Sequence, residues 1–182
     1  MADYSFKADG RISDWERDKL RNFCATLEGD IVSLAREFGL KVLVEDLLPY
    51  ERGYLQNAPS YGSPSGWVVK LNQQDRAEVQ NFTVAHELGH FVLHKAHLAG
   101  RDIFDGRINR DSQSATDPFI YLEPSDQIME SEANQFATAL LMPANQFRPA
   151  FSRLAGDQSA LAKLFFVTEK AVKRRVAELA LG

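Results

Sequence analysis

A single cysteine among 182 residues, Cys24, leaves no partner for an intramolecular disulfide and fits a reducing compartment, where it reads as a small buried apolar side chain. No stretch approaches the roughly 18 consecutive apolar residues of a membrane span. The opening Met1-Ala-Asp-Tyr-Ser-Phe-Lys-Ala-Asp9 lacks the basic segment and apolar core of a secretory leader. Excess positive charge is missing too. The formal net charge of −4 argues against binding polyanions with the whole surface. With 45% apolar and 25% charged residues, the composition is not that of a disordered chain either. The expectation is a soluble, cytoplasmic, globular protein of one domain, or of one domain with a small helical appendage.

Histidine is scarce but concentrated: all four fall between His86 and His97. Within Thr83-Val-Ala-His-Glu-Leu-Gly-His-Phe-Val-Leu-His94, His86 and His90 stand four residues apart. On a helix that spacing places both on one face, about 5–6 Å apart at Cβ, so both rings reach one ion at about 2.0–2.1 Å. Glu87 lies roughly 100° further round, where its carboxylate can act as a general base beside the metal. This is the arrangement of a zinc-dependent peptidase.

A third ligand is needed. His94 lies about 12 Å along the helix axis from His86, too far to share the ion, and is assigned a supporting or solvated role. A third histidine of the metzincin type would need Gly at Leu93 and His at Ala96, and neither is present. The segment Ile128-Met-Glu-Ser-Glu-Ala-Asn-Gln-Phe-Ala-Thr-Ala-Leu-Leu-Met142 reads as a helix capped by Ser125 or Asp126 and stopped before Pro143. Glu130 and Asn134 are one turn apart on it. The carboxylate can reach the metal while the amide accepts from a ligating histidine's outer N–H. Glu132, roughly 200° from Glu130, cannot share that role, and Glu130 is favoured. Tyr121 is a candidate to support the oxyanion of a tetrahedral intermediate, although packing alone also accounts for a tyrosine there.

The rest reads as scaffold. Ser13-Asp-Trp-Glu16 has capping-box form, followed by a stripe of Ile12, Trp15, Leu20, Phe23 and Leu27. Asp30 caps a second helix to Phe38, closed by Gly39, and Leu40–Glu45 reads as a strand. Residues 48–65 have turn chemistry and read as a loop. Gly66–Asn72 reads as a strand that can be an ordinary core strand or an exposed edge able to hold an extended substrate. Asp75 is the expected cap of the histidine helix, which should run to about His97. The polar segment 99–126 is either a lid or disordered, with a short strand at Phe119–Leu122. Asp157 and Thr168 each look like an N-cap, giving two C-terminal helices joined by a tight turn. Lys170, Lys173, Arg174 and Arg175 on the second could meet phosphates, but Glu169 and Glu178 dilute the patch, and a two-helix lid has the same pattern.

Phe82-Thr-Val-Ala-His-Glu-Leu-Gly-His90, Leu93-His94, Glu130-Ser-Glu-Ala-Asn134, Phe136-Ala137, Leu140-Leu-Met-Pro143 and the stretch from Leu161 to Arg175 together resemble the ImmA/IrrE family of zinc metallopeptidases. The likeness covers about Trp67 to Val176 and is weak N-terminally. It implies an α+β, zincin-like core with a small sheet, the His-Glu-x-x-His helix and the Glu-bearing helix, followed by helix-turn-helix-like C-terminal helices. It also implies one Zn2+ held by His86, His90 and Glu130, Glu87 as general base, and a helix-turn-helix repressor or antitoxin-like regulator as protein substrate. We accordingly expect a metallopeptidase domain over 1–144 and a packed helical extension over 145–182. The alternative is a non-proteolytic regulator with a structural zinc and C-terminal helices that bind DNA or a partner.

Overall fold

In the computed structural model, residues 9–26, 29–95 and 124–181 are described, with 124–126 as backbone only. Among them are three strands, β1 (Lys41–Glu45), β2 (Gly53–Asn57) and β3 (Trp67–Asn72). Seven α-helices accompany them: α1 (Asp14–Ala25), α2 (Ile31–Glu37), α3 (Ala77–Leu93), α4 (Pro124–Leu141), α5 (Ala144–Arg153), α6 (Gln158–Phe165) and α7 (Glu169–Glu178). The protein is a mixed α+β molecule built on a small sheet.

The capping box at Ser13 and Glu16 starts α1, and Asp30 caps α2 through the Val32 and Ser33 amides. Gly39, at φ 83°, closes α2 in the left-handed region that glycine enters without penalty. Ile12 and Leu20 are buried as expected, but Trp15 is 51% exposed and leans on Phe38 at 5.2 Å between ring centroids. The inward position beside it belongs to Glu16, which is 4% exposed and is held by Ser13 and by an ion pair with Lys95. Leu27 lies outside the described residues.

The sheet order is β1-β3-β2, with β1 parallel and β2 antiparallel to β3. Two expectations change here. The loop expected over 48–65 contains β2, whose Tyr54 and Leu55 are buried. Its turn-like composition reflects Gly53: a Cβ there would stand 2.5 Å from the Lys70 carbonyl oxygen and 2.7 Å from Thr83 Cγ2. β3 is the central strand, paired on both sides, so it offers no free edge for an added substrate strand. Burial on both of its faces follows from that position, and Lys70 is accommodated by Glu45 at 2.9 Å and the Tyr61 hydroxyl at 3.3 Å.

Helix α3 runs through the middle of the molecule. From Phe82 to Leu93 every residue but Phe91 is buried, so the helix has no solvent face in that stretch. Its N-cap is Arg76 rather than Asp75, whose carboxylate is engaged by Arg52. It ends at Leu93 with His94 as C-cap, short of the expected His97. Residues 96–123, which include His97, Tyr121, the Phe119–Leu122 strand and most of the polar segment, lie outside the described residues. Helix α4 begins at Pro124, placing Ser125 and Asp126 inside it rather than at its cap; proline suits a first helical position because the amide it lacks has no intrahelical partner there.

The packing of α4 on α3 is the contact on which the rest depends. A Cβ on Gly89 would lie 3.1 Å from the Phe136 ring and 3.2 Å from Ala133 Cα, so the absent side chain at Gly89 sets how closely the two helices approach. The C-terminal helices brace α4 from its far end. Thr138 Oγ1 donates to Glu178 at 2.7 Å, and Arg175, 1% exposed, donates from Nε to the Met142 carbonyl at 2.8 Å. Asp157 and Thr168 cap α6 and α7 as expected.

Candidate metal centre

Helix α3 presents His86 and His90 on one face, four residues apart, with Nε2 atoms 3.0 Å from each other. Across the α3–α4 contact, Glu130 brings Oε2 to 3.3 Å from His86 Nε2 and Oε1 to 3.0 Å from His90 Nε2. Among the described residues these three are the only group of His, Cys, Asp or Glu with ligand atoms mutually within 4.8 Å. Tetrahedral zinc at about 2.0–2.1 Å from each ligand spaces its donors about 3.3–3.4 Å apart, close to the separations found. Two imidazoles and one carboxylate also form a donor set that suits zinc. The residues therefore fit the ion.

Burial shapes the electrostatics. Both histidines are 0% exposed, and the Glu130 side chain is 15% exposed. Desolvation pushes the Glu130 carboxyl up, but hydrogen bonds and charge from His86 and His90 outweigh it and hold the group well below the usual carboxylate range. Glu87 is fully buried one residue after His86.

His94 falls outside this triangle, as the helical rise requires. It is 5% exposed, with Nδ1 3.1 Å from His90 Nδ1 and Nε2 3.0 Å from Glu132 Oε2. The outer nitrogen of His90 thus meets His94, and the described hydrogen bonds do not link it to Asn134. Asn134 is half-buried on α4, where its backbone carbonyl accepts from Thr138.

The profile of the peptidase M78 family, described as the IrrE N-terminal-like domain, matches residues 35–177. The chain belongs to this family. It is also 31% identical over 101 residues to the radiation response metalloprotease IrrE of Deinococcus deserti, a match covering 56% of this chain and 31% of that protein. In fold it resembles a Mycobacterium tuberculosis transcriptional regulator, with a TM-score of 0.59 at 22% identity over 96% of this chain and 50% of that one. The matches thus span about a third of the first relative's length and half of the second's.

In this M78 domain a groove of about 1210 Å³ opens beside Glu130, between α3, α4 and the C-terminal pair α6–α7. Phe82 and Phe166 give it apolar wall, and its charged lining is mixed, with Arg76, Lys163, Lys170 and Arg174 standing among Glu78, Glu169 and Glu178. The basic set expected on α7 is thereby divided. Lys173 is exposed and Lys170 and Arg174 border the groove, whereas Arg175 is an interior residue bonded to Met142 and Glu178 and cannot meet a phosphate. No described helix is long and apolar enough to cross a membrane.

Sequence reasoning missed two participants. Glu132, set aside as a ligand, supports His94; the signal was present in the i+4 spacing of His90 and His94. Arg11 gives both guanidinium nitrogens to Glu132 from 121 residues away, and nothing in the local pattern announces it.

Proposed function

We propose that this M78 domain is a zinc-dependent endopeptidase in which His86, His90 and Glu130 hold one zinc ion and Glu87 is the general base. The supporting observation is the convergence of the two Nε2 atoms and the Glu130 carboxylate at 3.0–3.3 Å inside a buried two-helix contact. Zinc bound there supplies Lewis acidity toward a peptide carbonyl and toward water. His86 and His90 offer neutral nitrogens, and Glu130 offers a carboxylate that stays ionised. Glu87 accepts the proton of the attacking water and returns it to the leaving amine. The groove of about 1210 Å³ beside Glu130 is the proposed seat of the polypeptide substrate.

The substrate is a helix-turn-helix repressor or an antitoxin-like regulator, and the protein acts in the cytoplasm. Kinship with a protein named as a radiation response metalloprotease supports proteolysis in a regulatory setting. Residues 1–144 form the catalytic unit, with 145–182 as a helical extension that braces α4 and walls the groove. Asn134 is a further candidate to accept from the outer N–H of a ligating histidine, and Tyr121, outside the described residues, to support the oxyanion.

The test pairs the zinc-loaded protein with helix-turn-helix regulators from the same organism, beginning with any encoded beside it. Glu87→Gln is expected to keep its zinc and lose cleavage by at least about 100-fold. Cleavage by this variant at the wild-type rate with zinc still bound overturns the mechanism.

A further inference from the structure

Behind the three candidate ligands lies a continuous line of hydrogen bonds that leads away from the site. His90 Nδ1 is 3.1 Å from His94 Nδ1, and His94 Nε2 is 3.0 Å from Glu132 Oε2. Arg11 closes the line with a two-pronged contact, Nη1 to Glu132 Oε2 at 2.8 Å and Nη2 to Oε1 at 2.9 Å. Asp9 holds Arg11 in turn, through Nε at 2.9 Å and Nη2 at 2.7 Å.

The proton positions along this line follow from donor and acceptor chemistry. An ionised carboxylate only accepts, so the His94 nitrogen facing Glu132 must carry hydrogen. With that ring neutral, its Nδ1 is an acceptor. The nitrogen opposite it, His90 Nδ1, must then be the donor, which leaves His90 Nε2 with a bare lone pair. That lone pair is the one a metal among His86, His90 and Glu130 would take, and without an ion Glu130 Oε1, 3.0 Å away, competes for hydrogen on the same Nε2. The reverse arrangement would place hydrogen on His90 Nε2, directed at the other two candidate ligands.

We infer that His94 and Glu132 are positioning residues for His90: the relay Arg11–Glu132–His94–His90 fixes the His90 ring and tautomer so that Nε2 is presented to the metal. The inference rests on the zinc reading above for its consequence, and on the Glu132–His94–His90 contacts for the bias they give the tautomer. Metal-ligating histidines commonly lean directly on a carboxylate. Here a second histidine, one helical turn on, extends the reach to a carboxylate on α4, and an arginine from before α1 anchors that carboxylate. Glu130 and Glu132 thus divide the work along α4, one facing the ligand cluster and the other holding its support.

Two measurements on the 182-residue chain test this. In the zinc-free Glu130→Ala protein, where no carboxylate draws hydrogen to Nε2, ring 15N shifts are expected to show His90 protonated at Nδ1, and a mixed tautomer once Glu132→Gln or His94→Phe is added. In a chelator competition for zinc, both variants should bind 10- to 100-fold more weakly, roughly the loss seen when such supports are removed. Arg11→Ala, at an exposed side chain, should lose less than about tenfold. His90→Ala serves as the control that abolishes the site, and His94→Gln, which can still accept and donate, should recover part of the loss. A His90 protonated at Nε2 in the Glu130→Ala protein, or zinc affinities of Glu132→Gln and His94→Phe within twofold of wild type, overturns the relay. Should the wild-type chain bind no zinc, the functional reading fails, and the His90 tautomer still decides the relay.

Discussion

Arg175 shows how position reverses the meaning of a side chain. In sequence it closes a basic cluster with Lys173 and Arg174; in the fold it is 1% exposed and bonded to Met142 and Glu178. Removing a buried guanidinium leaves its acceptors stranded, so Arg175→Ala should lower unfolding free energy by about 3–5 kcal/mol. Lys173→Ala on the exposed face of the same helix should change it by no more than about 0.5 kcal/mol. Urea denaturation of the two variants checks both values. A stable Arg175→Ala protein would mean that Glu178 and Met142 find other donors.

At the scale of elements, two features make sharp demands. Gly89 sets the α3–α4 separation, and Gly89→Ala would press a methyl group against Ala133 and Phe136. Alanine favours the helix by about 1 kcal/mol, but overpacking a closed core costs about 1–3 kcal/mol. A net destabilisation of about 1 kcal/mol is expected, with weaker zinc binding as Glu130 moves off the histidines; thermal melting and metal titration on one sample read both. Helix starts add a pH dependence of their own, beside that of Glu130. Burial raises the Glu16 carboxyl, and hydrogen bonds from Lys95 and Ser13 more than reverse this, so it sits below its ordinary 4.5. Asp30, chiefly through Ser33, sits below its ordinary 3.8. Both groups bind protons less readily folded than unfolded. Their contribution is therefore complete above about pH 5 and is lost as acid titrates them through their depressed folded values. Stability measured from pH 6 to pH 3 should fall, and Glu16→Gln should flatten that fall. An unchanged profile in the variant would locate the acid sensitivity elsewhere.

For the molecule as a whole, stability and metal are linked. An ion that binds only the folded chain stabilises it by about 2.7 kcal/mol at a hundred times its dissociation constant. Zinc should accordingly raise the melting temperature and a chelator should lower it; Glu130→Ala should show neither response. This scale also explains what could be read in the sequence. The His86–His90 pair, the caps at Ser13, Asp30, Asp157 and Thr168, and the helix bearing Glu130 are local patterns, and local patterns survive folding. Strand β2 was hidden because Gly53 looks like a turn residue until Thr83 and Lys70 are seen pressing on it. The central place of β3 depends on that hidden neighbour. The Arg11–Glu132 contact joins residues 121 apart, a separation over which no periodicity operates.

The brace between α4 and α7 has a consequence for biosynthesis. Glu130 is delivered by a helix whose far end is held through Thr138 and Met142 by Glu178 and Arg175, which are translated after it. While those residues remain inside the ribosome, the emerging chain has both histidines but no secured third donor. A secured third donor then waits until α7 has emerged and packed on α4.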